Sequence, residues 1–170
     1  CGVKGKIGEW IAAFLDPKTR MQSVGVDGSL SDPEQVISGV PQGTVIGPVL
    51  FLVHILSICS NLSPGTSSSS FADDTRIWRG VSSTSDCSNL QDDLQSVYAS
   101  ADLINMVFNS KKFEWLRYTA GSKTPPDFAY EAPDFTSILQ KPDLRDLGVR
   151  LSSDLTFNLQ VEKVITTSSQ

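Results

Sequence analysis

Apolar positions recur along this chain at two spacings, and the spacings separate helices from strands. Ile7, Trp10, Ile11, Phe14 and Leu15 fall at i, i+3, i+4, i+7 and i+8, which predicts an amphipathic helix over 6–15 that Asp16-Pro17 ends. Leu90, Leu94, Val97, Tyr98, Ala101 and Ile104 mark the buried face of a second helix over 85–104, with Ser85 or Asp86 able to cap its start. Its outer face carries Asp92, Asp93 and Asp102, which reads as a solvated face. Between the two, Val49 to Leu56 is apolar almost all round, a pattern of a buried helix, with Pro48 suited to its first turn.

The strand signals are shorter. Met21–Val26 and Glu34–Ile37 read as two strands that pair, with Asp27-Gly28 as a hairpin turn signal. Met106–Phe108 and Phe113–Tyr118 read as short strands around Asn109-Ser110-Lys111-Lys112. Residues 61–70 are mostly Ser, Pro, Gly and Thr and read as a turn or exposed loop, while 121–133 is Pro-rich and irregular. Leu147–Leu151 reads as a last strand entered through a turn at 143–146, and Phe157 begins a possible last helix. Hairpin strands with helices between them predict an α+β fold, an antiparallel sheet with packed helices.

Composition and single-residue usage sharpen this picture. At 39% apolar and 19% charged, 170 residues suffice for one globular core. The net charge of −5 has the wrong sign for a free-standing nucleic-acid binder, so either nucleic acid is not the partner or the basic surfaces lie in other parts of a longer protein. The chain opens on Cys1 with no basic-then-apolar leader, which reads as an interior piece. Cys1, Cys59 and Cys87 are odd in number and widely spread, which suits a reduced, intracellular setting better than a disulfide frame. The single histidine, His54, lies in an apolar run, against a His-based metal site or triad. The longest apolar stretch, 45–59, is interrupted and too short to span a bilayer.

Two stretches carry candidate chemistry. Phe71-Ala72-Asp73-Asp74 places two carboxylates side by side, followed by Thr75-Arg76-Ile77-Trp78, a strand, and preceded by Ser67–Ser70, a poorer one. Strand, acids, strand is a hairpin with acids at its tip. Because neighbouring strand side chains point to opposite faces, a turn is needed to aim a carboxylate outward at a hard cation. The plain alternative is that Asp-Asp is a turn. Ser38-Gly39-Val40-Pro41-Gln42-Gly43-Thr44 brackets one amide side chain with two glycines and a proline, then opens into the apolar helix. Such a loop lets backbone amides approach a phosphate or sugar, although it lacks the lysine of a P-loop.

Both motifs, in this order and about thirty residues apart, resemble the reverse transcriptase (RNA-directed DNA polymerase) domain of non-LTR, LINE-type retrotransposons. The resemblance extends to the Gly5–Leu15 helix, the Val26–Ser31 turn, Leu90–Leu94, Phe108–Lys112 and Leu147–Val149. It implies most of a polymerase palm over 1–119, an irregular connection over 120–140, and a primer-grip-like hairpin with the start of a thumb over 141–170. It implies nucleotidyl transfer with Mg²⁺ (or Mn²⁺) held by Asp73 and, more weakly, Asp74. Pro41, Gln42 and Gly43 are implied beside the template base and the incoming nucleotide, with Phe71 and Ala72 near its sugar. Lys111 or Lys112 is implied near the triphosphate, and Leu147, Gly148 and Val149 at the primer. The implied partners are an RNA template, a DNA primer and deoxynucleoside triphosphates, without a membrane, in the cytoplasm and nucleus.

The family needs one more catalytic aspartate on a strand before the first helix, and none is found before Asp16. The isolated chain is therefore expected not to polymerise. The alternative is a catalytically inactive relic or domesticated fragment. The serines at 67–70, where the family is apolar, suit that alternative and are expected to cost on the order of a kcal/mol each where buried.

Overall fold

The computed structural model describes residues 3–119 and 126–168. The chain divides between Leu56 and Ser57 into two compact units.

The first unit opens with α1 (Gly5–Leu15). Its apolar stripe forms as its spacing predicts, and Trp10 and Phe14 stack with ring centroids 5.3 Å apart. No residue of α1 is buried, and Ile7 is 67% exposed. The paired strands at 21–37 resolve into two nested ladders. The outer one joins β1 (Met21–Gln22) to β4 (Glu34–Gln35), and the inner one joins β2 (Gly25–Val26) to β3 (Ser29–Leu30). Asp27 (φ 49°) and Gly28 (φ 81°) both take positive φ, as a tight hairpin turn demands. Next comes α2 (Gly47–Ile55), with Pro48 in its first turn as expected. Its predicted burial is corrected: only Gly47 and Ile55 are buried, and Val49 is 57% exposed. An all-round apolar helix buries only where neighbours cover it, and the short two-residue ladders of this unit present little surface to do so.

The second unit holds the remaining elements. β5 (Thr66–Phe71) and β6 (Asp74–Arg79) form the expected acidic hairpin, in register from Thr66↔Arg79 to Phe71↔Asp74. Serines 67–70 are thus strand residues, as the hairpin reading has them, and not part of a loop over 61–70. Burial alternates strictly on β6, where Thr75, Ile77 and Arg79 face inward and Asp74, Arg76 and Trp78 outward. α3 (Thr84–Leu103) is the expected second helix. Its cap is Ser83, two residues before Ser85 and three before Asp86. Ser83 Oγ accepts the Asp86 N–H and the Asp86 carboxylate accepts the Ser83 N–H, a complete capping box.

Met106–Phe108 is not a strand. A single 3₁₀ turn, Ser110–Lys112, leads directly into β7 (Glu114–Leu116). β7 pairs in parallel with β8 (Leu139–Lys141). Parallel neighbours need a long crossover, and residues 117–138 supply it. The predicted irregular stretch begins outside the described residues at 121–125, but its later part builds the core. Cys87, Tyr130, Ala132 and Ile138 are buried together, with Leu90, Leu94, Phe113 and Trp115 packed against them. Gln91 on α3 fastens this crossover, accepting the Glu131 N–H at 2.8 Å and donating to the Glu131 carbonyl at 3.2 Å. Trp115 Nε1 donates to the Ile138 carbonyl at 3.1 Å. Burial, with the Asp134 charge adding, pushes the Tyr98 phenol up to about 12, so it stays a donor to the Glu131 carbonyl.

Residues 143–146, read as a turn, form β9 (Asp143–Asp146), which pairs with β10 (Val149–Ser152). The turn is Leu147-Gly148, both at positive φ (46° and 89°). α4 (Asn158–Ser168) follows, as expected. The fold is therefore α+β. Among the described residues its strands pair only two by two, four ladders antiparallel and one parallel, in place of one antiparallel sheet.

Candidate functional site

The loop from Ser38 to Thr44 is shaped by two glycines in the left-handed region, Gly39 (φ 83°) and Gly43 (φ 74°). Thr44 Oγ1 donates to the Pro41 carbonyl at 2.8 Å and accepts the Gly47 N–H at 3.2 Å, so one hydroxyl joins the loop to the start of α2. Gly47 is required there. A Cβ at this position would lie 2.7 Å from the Pro41 carbonyl oxygen and 2.8 Å from Thr44 Oγ1. The result is a pocket of about 320 Å³ that Pro41, Gln42 and Gly43 line together with Pro48 and Phe51. Arg20 Nη1 donates to the Gly39 carbonyl at 3.0 Å and ties this loop to the outer ladder.

In the second unit, Ala72 and Asp73 are the two loop residues of the β5–β6 hairpin and Asp74 is the first residue of β6. Phe71, Ala72, Asp73 and Asp74 are all exposed. Ala72 takes a positive φ of 52°, which turns the chain tightly between the strands. The tip thus presents two consecutive carboxylates to solvent. Ser70 and Thr75 share a hydroxyl–hydroxyl hydrogen bond of 3.0 Å just below them.

Arg76, on the outward face of β6 with Asp74, pairs with Asp146 at the end of β9. This contact brings the acidic hairpin alongside the Leu147-Gly148 turn, so two stretches singled out separately in the sequence meet. Lys111 and Lys112 lie exposed on the 3₁₀ turn, where the Asn109 side chain accepts the Lys111 N–H at 3.2 Å. Among the described residues no ion pair joins either lysine to Asp73 or Asp74.

The base of the acidic hairpin is held by a polar knot that sequence reasoning missed. Asp93, read as part of a solvated acidic face, is only 3% exposed. Its carboxylate accepts the Ser63 N–H and the Ser63 hydroxyl, both at 2.7 Å. Arg79, the last residue of β6, donates through Nη1 to Ser63 Oγ, the Pro64 carbonyl and Thr66 Oγ1, and lies 3.7 Å from Asp86. Burial pushes the Asp93 carboxyl up, but hydrogen bonds from Thr66 and Ser63 and the Arg79 charge outweigh it and hold the group below its ordinary range. The available signal was Arg79 closing the strand and Ser63-Pro64-Gly65 before it, with Ser63 thirty residues from Asp93 along the chain.

No family model, curated protein or solved structure matches this chain. The chemistry of the site therefore rests on its donors. Among the described residues no group of three or more His, Cys, Asp or Glu side chains could hold a metal ion. Two exposed carboxylates on consecutive residues suit a hard cation that keeps several waters and takes other oxygens from substrate phosphates. They do not by themselves complete a two-metal centre. No helix among the described residues is long and apolar enough to cross a membrane.

Proposed function

We propose that this chain is part of the palm of an RNA-directed DNA polymerase of the non-LTR retrotransposon type, and that nucleotidyl transfer belongs to a longer protein. The observation that carries the reading is the tip of the β5–β6 hairpin, where Asp73 and Asp74 stand exposed at a two-residue turn. The pocket beside Gln42 and Gly43 supports it, because glycine backbone and an amide side chain there suit close approach to a nucleotide. Asp73 and Asp74 would hold Mg²⁺, which when bound stabilises charge on the attacking and leaving oxygens of phosphoryl transfer. From the tip Asp73 and Asp74 would be the residues that hold the ion, and Arg76, paired with Asp146, fixes the strand behind them. Leu147, Gly148 and Val149 lie beside that anchor, in keeping with a primer-side role.

A second reading, an inactive relic, is favoured by Asp16. Asp16, the one aspartate that precedes the β1–β4 ladders, is the C-cap of α1 and not a strand residue. The two readings share the hairpin and differ in what lies upstream.

Nuclear magnetic resonance with Mn²⁺ tests the proposal. Sub-stoichiometric Mn²⁺ is expected to broaden the amide signals of residues 71–75 selectively, and Asp73→Asn with Asp74→Asn to abolish the effect. Broadening spread evenly over the acidic surface would sink it. Primer extension by the 170-residue chain alone is expected to incorporate nothing, and incorporation would show that no upstream carboxylate is needed. An open reading frame running upstream into a strand with an aspartate favours the polymerase over the relic.

A further inference from the structure

The β9–β10 hairpin contains a pairing that costs energy in isolation. Arg145 and Arg150 are direct cross-strand partners. Side chains so placed stand on one face with Cβ atoms about 5 Å apart, and like charges in that arrangement repel. Lys141 adds a third cation, and the three help line a pocket of about 440 Å³ whose acidic members are Glu114 and Asp143. Two of the cations are accounted for. Arg150 Nε donates to Asp143 at 2.6 Å, and Lys141 Nζ lies 3.6 Å from Glu114. Arg145 has no ion-pair partner among the described residues, so the pocket carries one positive charge in excess within a chain of net charge −5.

The backbone of the hairpin that carries the two arginines is braced from both sides. The Arg150 N–H donates to Gln160 Oε1 on α4 at 2.8 Å, and Lys163 Nζ donates to the Gly148 carbonyl at 3.3 Å. The Ser153 N–H donates to the Pro142 carbonyl at 2.9 Å and closes the far end. Two guanidinium forks on a fixed ladder, one of them unneutralised, match the oxygens of a tetrahedral anion.

We propose that Lys141, Arg145 and Arg150 form a binding site for a phosphate group. The bound anion bridges Arg145 and Arg150 and removes their repulsion. Asp143 keeps Arg150 oriented, and Pro142 and Leu144 wall the pocket. The site goes beyond the polymerase reading. Neither Asp73 nor Asp74 takes part in it, so the Mn²⁺ experiment and the one below fail independently.

The test is a titration of the full chain with inorganic phosphate at matched ionic strength, following the arginine Nε–H signals and the Tm. The Arg145 and Arg150 signals are expected to shift saturably and the Tm to rise. Arg145→Gln is expected to weaken binding by about tenfold, the loss of a charge-assisted hydrogen bond. Arg145→Lys, which keeps the charge without the fork, is expected to fall between. In phosphate-free buffer Arg145→Gln should keep the wild-type Tm or exceed it, because it removes a repulsion. Shifts that never saturate, equal binding by Arg145→Gln, or a lower Tm of that variant without phosphate would each overturn the proposal. A nucleoside monophosphate and an oligothymidine with free 5′ and 3′ hydroxyls distinguish the source. Binding of the first alone assigns a phosphate monoester, and binding of both assigns the phosphodiester of a strand as well.

Discussion

Asp93→Ala is the substitution with the largest expected consequence for the acidic hairpin. The carboxylate is 3% exposed and accepts two hydrogen bonds of 2.7 Å from Ser63. Its loss strands a backbone N–H and a hydroxyl and removes a nearby negative charge from Arg79, whose ion-pair partner is Asp86 at 3.7 Å. Hydrogen bonds to a charged group contribute about 1.5–3 kcal/mol each, and Arg79 keeps its carbonyl and hydroxyl acceptors. The Pro64 carbonyl and Thr66 hydroxyl soften the loss, so the expected cost is about 3 kcal/mol. Asp93→Asn retains one acceptor oxygen and should cost about half as much. Urea unfolding followed by tryptophan fluorescence measures both, with an unchanged slope required for the comparison. The sign with pH follows from the lowered Asp93 carboxyl. Its contribution is fully present above the ordinary carboxylate pKa and is lost as pH falls through the depressed folded value. The gap between wild type and Asp93→Asn should therefore narrow in acid. A cost below about 0.5 kcal/mol for Asp93→Ala, the range of an ordinary surface change, would refute the buried-knot reasoning.

Three further outcomes follow from local geometry. Gly47→Ala should cost about 2 kcal/mol by overpacking against Pro41 and Thr44, read as a fall in Tm, whereas Gly80→Ala, with open space at its Cβ, should not. Leu147→Gly should relieve about 1 kcal/mol of left-handed strain and raise the Tm by about 2–4 °C, and a fall would show that the Leu147 side chain contributes more than its backbone costs. Ser83→Ala should cost about 1 kcal/mol by opening the capping box, measurable as reduced protection of the first α3 amides in hydrogen exchange.

What could be read from the sequence was local. The 3.6-residue stripes of α1 and α3, the Asp27-Gly28 turn and the acidic hairpin depend on neighbours a few positions apart, and they formed as expected. Interactions over longer separations did not show. Asp93 looks solvated on a helix wheel because its donors lie on Ser63. Asp143-Leu144-Arg145-Asp146 reads as a turn because charged residues are poor strand formers, yet its cross-strand partners make it a strand and move the turn to Leu147-Gly148. Tyr130, Ala132 and Ile138 sit in a stretch whose prolines suggest a loop, and only the parallel β7–β8 pairing reveals why the chain must pass beneath α3. The expected penalty for Ser67–Ser70 also depends on tertiary context. None of the four is buried, so the full cost of sequestering a bare hydroxyl does not arise.

Pairing the strands only by twos leaves an open edge on every ladder among the described residues, and the longest belongs to the acidic hairpin. Such edges recruit strands from other molecules, and apolar β-branched sequences do so most readily. Four serines along β5 make that edge a poor template for cross-β growth, and Asp73 and Asp74 at its end repel a second copy. Replacing Ser67–Ser70 by valines would strengthen the ladder and at the same time favour fibrils, so the residues least suited to a strand are those that keep this one in solution.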